Sequence, residues 1–201
     1  MKKSWIVIGV IVVLVFVIYK FFAGTYNNLV QMDEQVSTQW AQVENVYQRR
    51  ADLIPNLVNT VKGYADFEKS TLTAVIEARA NATKITVDPK NLTPEALQSF
   101  QQNQGQLSAA LGRLMVVAEQ YPQLKANENF LELQAQLEGT ENRIAVERNN
   151  FNEVAKGYNT YLRSFPNNMI SGFYGFAKKP YFQAERGSEK APKVDFSGKN
   201  S

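Results

Sequence analysis

At 201 residues the chain has room for one domain of ordinary size and an appendage. Cysteine and histidine are both absent, which excludes disulfides, thiol nucleophiles, lipoprotein anchors, iron–sulfur and thiolate zinc sites, and the usual general base. The net charge of +3 gathers at the two ends, in Lys2, Lys3 and Lys20 and again from Arg163 onward, so the stretch between is acidic. A nucleic-acid binder would instead carry a basic face on its folded body, and no such partner is expected.

The first segment, MKKSWIVIGVIVVLVFVIYKFFAG, sets two lysines before an apolar run from Ile6 to Phe22. Only Lys20 interrupts it, and its ammonium can snorkel to the headgroups. At a rise of about 1.5 Å per residue the run is near the short end of a bilayer span. Trp5 and Tyr19 stand where interfacial aromatics belong. A cleaved signal peptide is the rival, but cleavage after Ala23 leaves the bulky Phe21 where a small residue is wanted, and cleavage after Thr25 ends on threonine. Residues 1–25 are therefore expected to remain as a membrane anchor. Lys2, Lys3 and the amino terminus outweigh Lys20, and the next basic residue is Arg49. The positive-inside rule then leaves the amino terminus in the cytoplasm and the body outside, as a single-pass protein of the cell (inner) membrane.

From Leu29 the pattern is helical. Leu29, Val36, Val43, Arg50, Leu57 and Tyr64 recur every seventh residue, with Trp40, Tyr47, Ile54, Val61 and Glu68 as the companion row. Pro55 falls inside this seam without shifting its phase. The spacing predicts one kinked helix in which Pro55 frees the carbonyl of Ala51; the alternative restarts the helix with Asp52 as its N-cap. A second helix carries Leu72, Val75, Ile76, Arg79 and Ala82 on one face. TKITV and DPKNLTPE form a connection, and Thr93 followed by Pro94 reads as the N-cap and first residue of a third helix. That helix aligns Leu97, Phe100, Gln104, Leu107, Leu111, Leu114 and Ala118, and QYPQL ends it. The fourth runs from about Asn127 to Leu162, with Phe130, Leu137, Ile144, Phe151 and Tyr158 in one row and Glu141, Arg148, Ala155 and Leu162 in the other. The expected fold is all-α: an N-terminal transmembrane helix, then an antiparallel four-helix bundle with long coiled-coil-like helices over residues 26–165. Residues 166–201 form a tail that is aromatic, then charged and loosely ordered.

An arginine in a core stripe needs a counter-charge, because an unpaired buried charge costs several kcal/mol. Counting along antiparallel helices at equal rise puts Arg50, Arg79 and Glu141 at one level, with Gln104 nearby. These four are expected to form a buried polar layer that sets register; the alternative is that Arg50 snorkels out with its stem buried. Catalysis finds little support. Di-metal bundles need Glu-x-x-His ligands, and GFYGFAKK lacks Walker spacing and follows no strand. No catalytic, metal or cofactor-binding residue is expected, and no small-molecule substrate.

The elements YNNLV, W, V, Y, RR, LIPNLV, VK, Y and FE, in that order and spacing, resemble the LemA family. So does the far half, LKANENFLELQAQLEGTENRIAVERNNFNEVAKGYNTYLRSFPNNMISGFYGF, and the similarity covers nearly the whole chain. The resemblance implies a membrane-anchored helical bundle of unsettled molecular function, with no established catalytic residues. It also places Arg50 and Pro55 in the family's signature, and the family's anchor has been read in the opposite orientation too.

Two functional classes follow. One is an adaptor that holds an unidentified envelope protein at a fixed height above the bilayer, with Trp40, Tyr47, Asn152 and Asn159 as a possible contact face; the bland reading of each is ordinary packing. The other is a self-assembling, membrane-shaping homo-oligomer. In the tail, Phe173, Tyr174, Phe176, Tyr181 and Phe182 crowd beside Lys178 and Lys179. They suit either the headgroup zone of the lipid bilayer or the open end of the bundle.

Overall fold

Residues 2–64 and 68–183 are described by a computed structural model of the chain. The first helix, α1 (Lys2–Lys62), is continuous from the apolar run to the far end of the bundle. Its first part is long and apolar enough to cross a membrane, and none of that window is buried against protein. Burial begins at Thr25 and Leu29 and then follows the heptad: Val36, Trp40, Val43 and Tyr47 are all enclosed. Anchor and bundle thus share one rod rather than meeting at a linker.

Pro55 lies inside α1, so the helix does not restart at Asp52. Proline supplies no N–H to the carbonyl of Ala51, and a buried carbonyl left bare is costly. Arg79 takes the vacancy: its Nε donates to Ala51 O at 2.7 Å.

Helix α2 (Lys69–Lys84) returns toward the membrane, and a 3-10 turn (Pro89–Asn91) capped by the Asp88 carboxylate leads into α3 (Pro94–Ala118). Thr93 caps α3 by accepting from the Ala96 N–H at 3.1 Å. A single turn, α4 (Pro122–Lys125), links α3 to α5 (Glu128–Arg163), whose first turn is capped by Asn127. Asn28 meets Tyr161, Gln39 meets Glu147 and Arg50 meets Glu141, so α5 descends as α1 climbs. The bundle pairs α1 with α5 and α2 with α3, and no strand occurs among the described residues.

The tail departs from expectation. Residues after the SFPNN stop form a short helix, α6 (Asn167–Tyr174), closed by Gly175 in the left-handed region at φ 75°. The chain from Phe176 to Gln183 then lies along the bundle, with Phe182 and Lys179 buried, so this part is not loose. The charged remainder, residues 184–201, lies outside the described residues.

The core has two apolar clusters. The membrane-distal one joins Ile54, Leu57, Val61, Leu72, Val75, Leu107, Leu114 and Phe130. The proximal one joins Leu29, Trp40, Tyr47, Leu97, Phe100, Ile144, Phe151, Tyr158 and Phe182.

If Arg79 serves the carbonyl that Pro55 orphans, the two changes should be coupled. Arg79→Met is expected to destabilise the full chain in detergent by about 1–3 kcal/mol, the cost of a bare buried acceptor. In a Pro55→Ala background the residue-55 N–H refills that position, and the same change should cost clearly less. Equal costs in the two denaturation series would show that the residues act independently.

Candidate functional site

Between the two clusters lies a polar level. Arg50, only 2 % exposed, donates from Nη1 to Glu141 Oε2 and to Ser108 Oγ, both at 2.8 Å. Its Nη2 donates to Gln104 Oε1 at 2.6 Å and to the Gln104 carbonyl at 3.3 Å. Gln104 in turn donates to the Ala82 carbonyl at 3.2 Å, which ties α3 to the end of α2. The guanidinium also lies over the Tyr47 ring, 5.0 Å from its centroid. Burial raises the Tyr47 phenol above its ordinary range, while Arg148 and Arg50 pull it back. Arg50 therefore does not snorkel, and its Nε meets no hydrogen-bond partner among the described residues. The pair is lopsided: the guanidinium is enclosed and the Glu141 side chain is 58 % exposed.

Arg50, Gln104 and Glu141 thus meet directly. Arg79 sits one step along, on the Ala51 carbonyl rather than in the ion pair. Ser108 was not singled out by the sequence; its only signal is that it follows Gln104 by one helical turn on α3.

A second constellation runs down the membrane-proximal half of α5. Asn159 closes on the backbone of Lys179 with both ends of its amide: Nδ2 donates to the Lys179 carbonyl at 2.8 Å, and Oδ1 accepts from the Lys179 N–H at 2.9 Å. Asn152 treats Phe182 identically, at 3.0 and 2.8 Å. The two asparagines are one heptad apart on α5, about 10.5 Å at helical rise. Three residues of tail must cover the same length, about 10 Å, which requires an extended backbone. Beyond them, Arg148 and Gln101 both donate to the Gln183 carbonyl, at 2.9 and 3.1 Å. Every one of these bonds addresses the main chain of the tail, antiparallel to α5.

Side chains of the tail fill two unlike sites. Lys179 pairs with Asp33 at 2.8 Å, its side chain 6 % exposed, and also donates to the Pro89 carbonyl at 3.3 Å. The Tyr158 ring lies beneath the ammonium at 5.8 Å. Burial, reinforced by the Asp33 carboxylate, pushes the Tyr158 phenol well above its usual range. Phe182 is stacked on Trp40 at 5.9 Å and meets Phe151 edge-on at 5.4 Å, with the Arg148 guanidinium over its outer side.

These positions correct several expectations. Trp40 and Tyr47 are inside the core. Asn152 and Asn159 are bonded to this chain's own tail. Phe182 and Lys179 are buried in the bundle, Phe176 is half-buried beside Tyr26, and Tyr181 receives a hydrogen bond from Asn159. Phe173, Tyr174 and Lys178 stay exposed. The aromatic tail is two things, a docked extended segment and an open helix. Among the described residues no cluster of acidic side chains could hold a metal ion.

The LemA family model matches residues 39–196, which takes in the polar level and the docked tail and leaves the apolar span outside. The chain belongs to the LemA family. A LemA-family relative, the magnetosome protein MamQ 2 of Paramagnetospirillum magneticum, is 27% identical over 177 residues, covering 79% of this chain and 64% of its own length. MamQ of Magnetospirillum gryphiswaldense is likewise 27% identical, over 78% of this chain and 64% of its own. Protein LemA of Metamycoplasma hominis is 24% identical over 84% of this chain and 73% of its own. The chain therefore spans a little under two thirds of the magnetosome relatives it matches.

The lopsided ion pair predicts lopsided mutants. Glu141→Ala removes the counter-charge from an enclosed guanidinium and is expected to cost about 3 kcal/mol. Arg50→Met leaves a carboxylate that water already reaches, so it should cost less, and the double variant should be no worse than Glu141→Ala alone. Chemical denaturation of the three variants checks the ranking. For the tail, Asn152→Ala with Asn159→Ala should expose the bond after Lys178 to trypsin and raise its cleavage rate several-fold. An unchanged rate would mean the asparagines do not hold the tail.

Proposed function

We propose that the protein is a non-enzymatic interaction module of the bacterial envelope, anchored in the membrane, whose α5 groove receives an extended peptide segment. The observation that carries this reading is the pair of asparagine amides bonded to main chain. Such bonds are indifferent to sequence, so they serve any extended segment, while the Asp33 and Trp40 sites add a preference for a cation and an aromatic three residues apart. The tail, Ala177 to Gln183, is the resident occupant, and a partner's segment of the same chemistry displaces it. The unbroken α1 supports a scaffold role: from Tyr26 to Lys62 it spans about 55 Å at helical rise, which holds the groove and the distal tip at set heights. The lysines before the span favour a body outside the cytoplasm.

Self-assembly is the second reading, favoured because the one segment known to suit the groove belongs to this chain. Copies side by side in a membrane would then exchange tails.

One set of variants separates the two, exploiting a chain without cysteine. With Gln101→Cys and Gln183→Cys together, a short bismaleimide should lock the tail in place. The adaptor reading expects locked protein to lose a crosslinked neighbour that unlocked protein captures in native membranes; equal capture counts against it. The exchange reading expects copies bearing Gln101→Cys to crosslink to copies bearing Gln183→Cys, and exclusively intramolecular linkage ends it.

A further inference from the structure

Helix α6 has a face that the bundle does not use. Ile170 and Ser171 turn inward and are buried, and Tyr174 packs on Tyr26 with ring centroids 4.8 Å apart. On the opposite side Met169 is 65% exposed and Phe173 is 83% exposed, one turn apart, and Phe165, in the turn just before the helix, is 82% exposed. Three large apolar side chains standing in water at four-residue steps are costly in a soluble setting and call for a cover.

The position of α6 says what the cover is. Asn167 bonds to Thr25, and Tyr174 rests on Tyr26. Thr25 lies three residues past Phe22, the last of the apolar run, about 4.5 Å of helical rise. An interfacial helix buries its apolar face about 5–10 Å into the boundary between headgroups and acyl chains. Tethered to α1 at that height, α6 lies within reach of this boundary whenever α1 spans the bilayer.

We infer that α6 is a lipid-seated foot: Phe165, Met169 and Phe173 insert at the acyl–headgroup boundary beside the emerging span. The sequence of α6, NNMISGFY, contains no charged residue. Its ligand is therefore the apolar margin of any phospholipid leaflet rather than an anionic headgroup. The foot gives the rod a second point of attachment and so fixes the tilt and rotation of the bundle over the membrane, which a lone span leaves free. This inference stands apart from the groove and holds whichever segment occupies it.

The test uses the full chain in phosphatidylcholine nanodiscs. Single cysteines at Met169 and Phe173 carry nitroxides, with Phe16→Cys in the span and the exposed Val116→Cys on α3 as references. All four side chains project outward, so circular dichroism should remain unchanged. Labels at 169 and 173 should collide with oxygen several-fold more, relative to a water-soluble nickel chelate, than the label at 116. The ratio should persist in high salt and should not rise when anionic lipid is added. A ratio equal to that at 116 places α6 in water and overturns the foot. Shielding from both reagents means that protein covers the face, and overturns it equally.

Discussion

A guanidinium enclosed in the middle of a helical bundle constrains everything around it. Arg50 brings five N–H donors and a full charge into a region where water cannot serve them, and each unmet need costs free energy. Three of its neighbours come from α3 and α5, and Tyr47 offers a ring face from the preceding turn of its own helix. Those partners exist at one level only. Sliding α5 by a heptad would set Gln134 or Arg148, neither of them a counter-charge, beside the guanidinium. Register follows from this one side chain, and the apolar clusters above and below are what remains of the seam once the charged level is taken out. The open exposure of Glu141 matters here: the carboxylate keeps much of its hydration, which softens the desolvation cost that makes fully buried ion pairs poor stabilisers.

The same stretch of α1 shows a second dependence. Pro55 would weaken a free helix, but the orphaned carbonyl of Ala51 gives Arg79 a place to bond, so a local defect in α1 becomes a specific joint to α2. Two arginines on neighbouring levels thus anchor α2, α3 and α5 to one rod that continues into the span. Helical continuity is what carries this order to the membrane.

How much of this was written legibly in the chain depends on the range of the interaction. Heptads, the Thr93 cap, the four long helices and the need of Arg50 for Glu141 all follow from local period or from charge balance along antiparallel helices. Arg79 misled because level alone does not reveal that a carbonyl, not a carboxylate, is waiting there. Trp40 and Tyr47 occupy seam positions, and of the two readings open to them, contact face or ordinary packing, their burial fits the second. Asn152 and Asn159 look like ordinary solvated residues on a helix until an extended segment arrives from elsewhere in the chain. The division of the aromatic tail was equally hidden: Phe173 and Phe182 are chemically alike, and only the turn at Gly175 sends one outward and the other into the core.

The near-equality of seven helical residues and three extended ones gives the groove a frame. Because Asn152 and Asn159 hold the tail chiefly by its main chain, an extended segment slid by three residues would regain those main-chain bonds to both, whereas a slide of one or two would lose them. The tail therefore has discrete resting places rather than a continuum. Slid one way, Lys179 would be thrust against Trp40 and Phe151; slid the other, Phe182 would face Asp33. The two unlike sites select a single frame from a repeating series, much as a key's notch selects among evenly spaced stops. A ruler made of two amides, with a cation mark and an aromatic mark, measures any chain laid along it.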